Sequence, residues 1–226
     1  MEGIKERLDY IYKNIEEARR RGEKASKEVR LIAVSKTKPV EEMLEAYEYG
    51  VRDFGENYVQ EITAKYDSIP SDARIHMIGH LQTNKVAKII DKVYMIHSVD
   101  SVKLLKEIEK QSVKYNIACM PILLEVNVAK EESKFGFNTD ELENILKLAA
   151  DECPHICVRG FMTSAPITED QETNRIYFHE LRSLAENFEL PELSMGMTGD
   201  YIVAVEEGAT MVRIGTAIFG KREYNK

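Results

Sequence analysis

Apolar positions along this chain recur with two alternating periods. Ile4, Leu8, Ile11, Ile15 and Ala18 fall at helical spacing among Lys, Arg and Glu. ERLDYIYKNIEEARRRG therefore reads as an amphipathic helix within residues 1–22, closed by Gly22. Arg30-Leu-Ile-Ala-Val-Ser35 follows, a short apolar run of the kind that forms a strand buried on both faces. Lys36-Thr-Lys-Pro39 supplies a turn and a first-turn proline, and residues 39–49 read as a helix ending at Gly50. The alternation continues. Further strands are expected at 51–54, 74–78, 93–99, 121–128, 157–163, 192–195 and 211–214. Helices are expected between them at 56–66, 82–91, 101–115, 139–152, 169–189 and 200–208. Parallel strands need crossover connections, so this order predicts a parallel sheet. Eight strand–helix units in about 200 residues predict a closed (β/α)8 TIM barrel, with an open doubly wound sheet as the alternative. The first helix is extra to that count and is expected to cover the amino end of the barrel.

Length supports one domain, 1–226, made of the N-terminal helix (1–22) and the barrel (30–221), since 226 residues suit a single α/β barrel and no repeat or Gly/Ser/Pro-rich linker divides them. A formal charge of −8 makes the chain a poor counter-ion for nucleic acid or anionic membrane. No run of 18 apolar residues is present and the start, MEGIKERLDYIYKN, is charged throughout, so a cytoplasmic chain is expected. Cys119, Cys153 and Cys157 suggest neither a disulfide framework nor a zinc site, and separate buried thiols are expected.

Candidate chemistry gathers where the strands end, which in a parallel barrel is the working face. Small, polar and basic residues follow every strand: Ser35-Lys36-Thr37-Lys38, Gly55-Glu56-Asn57, Gly79-His80, His97-Ser98, Asn127 with Lys130 and Lys134, Gly160 to Thr163, Ser194 to Asp200, and Arg213-Ile214-Gly215-Thr216. Ser-x-Gly-x-Thr-Gly and Ile-Gly-Thr are short turns into helices, where backbone N–H groups approach an anion closely. They read together as a phosphate site, and singly as capped turns using Thr198, Asp200 or Thr216. Lys36 leaves a buried strand at the barrel mouth, beside Lys38. A desolvated amine next to another cation loses its proton readily and can attack a carbonyl to form a Schiff base. The plainer alternative is a lysine snorkelling at a strand end. Arg213 could serve a phosphate, a ring nitrogen or a neighbouring carboxylate. His76, His80 and His97 read as hydrogen-bonded histidines rather than metal ligands. Met195, Met197, Met211 and Phe161 read as barrel packing.

The segments AVSKTKP, RDFGENYVQE, IHMIGHLQTNK, HSVDS, LEVNVAKEESKFGF, RGFMTSAP, LSMGMTGD and GATMVRIGTAIFG resemble the pyridoxal phosphate homeostasis protein family. Its barrel is similar to the N-terminal domain of alanine racemase, fold type III among pyridoxal 5′-phosphate (PLP) proteins. The resemblance runs from Leu31 to Lys221, with Thr198 where serine is usual. It implies that Lys36 forms the Schiff base with PLP, that Ser194, Gly215 and Thr216 hold the phosphate, and that Arg213 faces the pyridine nitrogen. Asn57 is implied to lie beside the ring, and Lys38 and Lys134 at the site mouth. An arginine at the ring nitrogen keeps it unprotonated and weakens the ring as an electron sink.

Three functions fit these residues: a carrier that buffers PLP and delivers it to PLP-dependent apo-enzymes in vitamin B6 homeostasis, an amino-acid racemase or other PLP enzyme, and a Schiff-base aldolase acting on a sugar phosphate. Alanine racemases add a β-rich domain that brings a second acid/base, whereas ten residues follow Thr216 here. That difference and the open barrel mouth favour the non-catalytic carrier, as a monomer or weak dimer.

Overall fold

The computed structural model describes residues 3–131 and 135–221. Eight parallel strands pair in sequence order: β1 (Arg30–Val34), β2 (Asp53–Glu56), β3 (Arg74–Met77), β4 (Met95–Val99), β5 (Met120–Glu125), β6 (Ile156–Met162), β7 (Glu192–Met197) and β8 (Met211–Ile214). β8 returns to β1, with Arg30 opposite Met211 and Ala33 opposite Ile214, so the sheet closes. Closure confirms the (β/α)8 barrel and excludes the open sheet.

The helices are α1 (Ile4–Arg21), α2 (Val40–Glu48), α3 (Val59–Lys65), α4 (Val102–Lys114), α5 (Leu142–Glu152), α6 (Arg175–Asn187), α7 (Tyr201–Glu206) and α8 (Thr216–Phe219). α1 buries Ile4, Leu8, Ile11, Ile15 and Ala18, the face read from sequence. That face packs against α7, α8 and α2, on the flank of the barrel rather than across its amino end. The reason is the length of α8. Four residues cannot cover the β8–β1 seam, and α1 completes the ring of helices there, tied by Arg7 Nη1 donating to the Ile218 carbonyl at 2.7 Å.

Two connections depart from the sequence pattern. Residues 82–91 form a 3-10 helix over Thr83–Lys88 instead of an α-helix. Thr83 and Asn84 are weak helix formers, and Val86, Ile89 and Ile90 are all drawn into the core within five residues. α6 starts at Arg175, after a 3-10 turn at Gln171–Asn174. The cysteines also differ from expectation. Parallel pairing sets Pro121 against Cys157, which brings Cys119 and Cys157 to a Cα separation of 5.6 Å, and the two form a disulfide. Only the pairing of β5 with β6 reveals that proximity, since 38 positions separate them in sequence. Cys153 is a free, buried thiol.

The outward faces of the strands and the inward faces of the helices make the main core. Inside the barrel, Ile32, Met95, Leu123, Met162 and Met211 form a separate apolar cluster. Alternation along β8 shows how one strand serves both sides: Met211 joins the inner cluster, Val212 and Ile214 join the outer core, and Arg213 has the inward parity of Met211.

Candidate functional site

Lys36 is the first residue beyond β1 to leave the barrel, and its neighbours hold the chain rigidly where it does so. Ser35 donates its backbone N–H to the Gly55 carbonyl at 3.0 Å and its hydroxyl to Glu56 Oε1 at 2.7 Å. Lys65 of α3 donates to the Ser35 carbonyl at 2.9 Å and to Glu56 Oε1 at 2.8 Å. Glu56 is fully buried, and desolvation, only partly countered by Lys65 and Ser35, pushes its carboxyl up to about 7. On the other side, Thr37 takes a left-handed backbone conformation (φ 63°) and donates its N–H to Glu61 Oε2 at 2.7 Å. A β-branched residue is strained in that region, so this turn is held by its surroundings. Lys38 lines a small neighbouring cavity with Lys36, Gly215 and Thr216, and its ammonium donates to the Phe219 carbonyl at 2.6 Å and lies 3.4 Å from Glu42. It is a clamp on the end of α8.

Half-buried Lys36 opens onto a cavity of about 280 Å³ at the carboxyl ends of the strands, whose walls include Asn57, Ser164, Thr198, Gly199, Arg213, Gly215 and Thr216. Five of the six residues singled out from sequence thus meet around one space: Lys36, Asn57, Arg213, Gly215 and Thr216. Ser194 is the one not brought to the wall. It lies beneath Arg213, fully buried, and its hydroxyl accepts from Arg213 Nη1 at 2.6 Å. The position near the phosphate-like turn is taken instead by Thr198 and Gly199. Gly196 makes that turn possible, with φ +89° and an added Cβ 2.5 Å from Ala204 Cβ. Asp200 folds back to accept from the Met197 N–H at 2.7 Å.

Arg213 is fixed on three sides. Nη1 also donates to the Ser194 carbonyl at 2.7 Å, and Nη2 donates to the Thr163 carbonyl at 2.8 Å. Burial pulls its guanidinium down to about 10, against the opposing pull of Glu125 and Asp200, so it remains a cation at neutral pH. Residues lining this space carry two kinds of polar group without a partner. The backbone N–H groups of Thr198, Gly199 and Gly215 donate to no backbone carbonyl among the described residues, and Asn57 Oδ1 is buried without a partner. Amide donors without acceptors suit an anion, and an adjacent planar cation and amide suit a polar ring. A phosphate-bearing aldehyde therefore fits the donor set.

A second cavity of about 290 Å³ adjoins the first across Asn57, Ile78 and Ser164, and includes His80, Glu125, Asn127 and Phe135. Burial, then Asp100, pushes the Glu125 carboxyl up to about 7 although Arg213 pulls the other way. His80 stacks on Phe135 with ring centres 3.9 Å apart and contacts Asp100 through Nδ1 at 2.9 Å. Lys134, expected at this rim, lies outside the described residues. A larger cavity, about 500 Å³, opens at the amino end beside Arg30, Arg74 and Glu192. It lies opposite the face where barrels carry their sites. Among the described residues no group of three potential ligands could hold a metal ion, and no helix is long and apolar enough to cross a membrane.

What sequence reasoning missed is beneath the cavity. His76 and His97 are fully buried and linked, Nδ1 to Nε2, at 2.9 Å, and they join Asp53 to Ser194. The sequence read both as hydrogen-bonded histidines near strand ends; their partners, 21 to 97 residues away, were not visible.

Residues 7–223 match the family model described as the N-terminal domain of alanine racemase. A pyridoxal phosphate homeostasis protein of Aquifex aeolicus (strain VF5) is 42% identical over 226 residues, which is 97% of this chain and 98% of that relative. The solved structure of PipY from Synechococcus elongatus PCC7942 with PLP bound is 32% identical, with a TM-score of 0.82 over 96% of this chain and 100% of PipY. Alanine racemase from Corynebacterium glutamicum, 19% identical, has a TM-score of 0.68 and spans 96% of this chain but 62% of its own, a likeness of fold alone.

Proposed function

This chain belongs to the family of pyridoxal phosphate homeostasis proteins, built on the barrel of the alanine racemase N-terminal domain, and from that premise we propose that it captures PLP on Lys36, buffers it and releases it to PLP-dependent apo-enzymes. The observation that carries the reading is the meeting of Lys36, Arg213 and the free amides of Thr198, Gly199 and Gly215 around one cavity. When bound, the cofactor supplies an aldehyde for an amine and a phosphate for an anion site. Lys36 would hold the cofactor through its Nζ, to which the aldehyde would supply a bond that water can reverse. Thr198, Gly199, Gly215 and Thr216 bind the phosphate through N–H and hydroxyl groups. α7 and α8 have six and four residues, so direct hydrogen bonds rather than a long helix dipole supply this affinity. Arg213 presents its cation to the ring nitrogen and Asn57 borders the ring.

Release rather than turnover is favoured by the walls of the Lys36 cavity. Apart from Lys36 and Arg213, its described residues include no titratable side chain, and the groups suited to act as a second acid/base, Glu125 and His80, line the adjoining cavity instead. Incubation with PLP, borohydride reduction and peptide mapping test the first half. A single adduct on Lys36 is expected, and adducts scattered over many lysines would remove the reading. Mixing the loaded protein with a PLP-free aminotransferase tests the second half. Recovery of aminotransferase activity faster than by dilution of the loaded protein supports delivery, whereas amino-acid turnover by the protein itself, lost in Lys36→Ala, would make it an enzyme.

A further inference from the structure

Five side chains cross the inside of the barrel in one unbroken chain. Asp53 Oδ1 meets His76 Nε2 at 2.8 Å, His76 Nδ1 meets His97 Nε2 at 2.9 Å, His97 Nδ1 meets Ser194 Oγ at 3.0 Å, and Ser194 Oγ meets Arg213 Nη1 at 2.6 Å. The two ends dictate where every proton sits. Guanidinium only donates, and an ionised carboxylate only accepts. Asp53 is ionised, its carboxyl held below the usual range by His76 and Arg74 against desolvation. His76 must therefore donate from Nε2 to Asp53, which leaves Nδ1 to accept from His97 Nε2–H. His97 Nδ1 then accepts from the Ser194 hydroxyl, whose oxygen accepts from Arg213. The reverse order would set a bare His76 nitrogen against the Asp53 carboxylate. An imidazolium at either ring is disfavoured by full burial, by the Arg30 and Arg74 charges near His76, and by Arg213 and Arg30 near His97, with Asp53 alone pulling His76 the other way.

We infer that Asp53, His76, His97 and Ser194 form a one-directional hydrogen-bonded spine, with both histidines as neutral Nε2–H tautomers, that positions Arg213 toward the ligand at the barrel mouth. The spine joins the amino end, where Arg74 Nη2 donates to Asp53 Oδ2 at 2.6 Å, to the wall of the Lys36 cavity. It explains why Ser194 lies under the site instead of in it. These four are positioning residues. Each acts through the next, and the last holds the guanidinium from the side opposite the cavity. The ligand-facing half of this inference rests on the function proposed above; the tautomers do not.

Long-range 1H–15N spectroscopy of the full chain tests both halves, first without and then with PLP. Both rings are expected to show protonated Nε2 and bare Nδ1, with no imidazolium at neutral pH. Ser194→Ala is expected to leave both tautomers as Asp53 sets them, to weaken PLP binding about fivefold, the equivalent of one net hydrogen bond, and to move the visible absorption of the bound cofactor. Ser194→Thr keeps the hydroxyl and is expected to restore both. A protonated Nδ1 on either ring, an imidazolium at neutral pH, or a Ser194→Ala protein with unchanged PLP affinity and absorption would overturn the spine. Should Ser194→Ala fail to fold, His97→Gln makes the same test: its amide can donate to His76 and accept from Ser194, so His76 is expected to keep its Nε2 proton, and a switch to Nδ1 overturns the inference. Wild-type protein that shows the Nε2–H tautomers but binds no PLP would overturn the proposed function and the ligand-facing half with it, and leave the tautomers standing.

Discussion

The barrel buries two polar groups within its walls, one inside and one outside, and they are built on opposite principles. The inner spine from Asp53 to Arg213 keeps its charges at the two ends and links them through neutral rings and a hydroxyl. Every nitrogen of the two rings has a partner. The outer group, between β2 and α3, sets the Glu56 carboxylate directly on the Lys65 ammonium, 2.8 Å apart, and leaves Glu56 Oε2 without a partner. The spine holds an arginine by orientation, and the outer pair holds the strand exit that presents Lys36. The contrast teaches that burial among cations keeps a fully hydrogen-bonded ring neutral, whereas burial of a carboxylate whose second oxygen lacks a partner leaves it open to protonation.

Removing Lys65 breaks the comparison hardest. Lys65→Met strands Glu56, and a loss of about 4 kcal/mol in urea unfolding is expected near pH 8, shrinking toward acid as Glu56 takes a proton. His97→Leu breaks the spine, leaving His76 Nδ1 and the Ser194 hydroxyl without partners, and a loss of about 2 kcal/mol is expected by the same measurement.

The two groups should also bend the pH–stability curve in opposite directions. Glu56 is raised from 4.5 to about 7 in the folded chain. Its contribution is complete below pH 4.5 and is lost as pH rises through about 7, so Glu56→Gln should flatten the alkaline side. His76 and His97 are lowered from 6.5. Their contribution is present above pH 6.5 and is lost as pH falls, because the unfolded chain takes up protons first, so His97→Gln should flatten the acid side. Unchanged curves in both variants would show that neither group titrates differently on folding. The smallest effect is expected at the strained turn that the outer group supports. Thr37→Gly relieves the left-handed backbone but frees the unfolded chain, for a net gain of about 0.5 kcal/mol in thermal unfolding.

Legibility in the sequence followed the range of the interactions. Most of the strands could be read because they are local apolar runs, such as Leu31 to Val34, bounded by turn residues, whereas β2 is the polar stretch Asp53–Glu56 and lies two residues beyond the expected 51–54. Lys36, Asn57, Arg213, Gly215 and Thr216 could be placed together because a closed barrel puts every strand end on one rim. The 3-10 helix at Thr83–Lys88 could not be read, since the core contacts of Val86, Ile89 and Ile90 override a pattern that looks helical. The role of Ser194 was hidden for a related reason. Its strand and its neighbours signal a phosphate turn, yet one residue's parity along β7 turns it down toward His97 while Thr198 and Gly199 reach the cavity. Disulfide partners and spine partners depend on which strands become neighbours, and no local spacing records that.

Pairing of β8 with β1 leaves the sheet without an edge. An open edge would offer a row of main-chain donors and acceptors to any extended peptide, and a closed ring offers none. Another protein that meets this one can do so only through helices and loops.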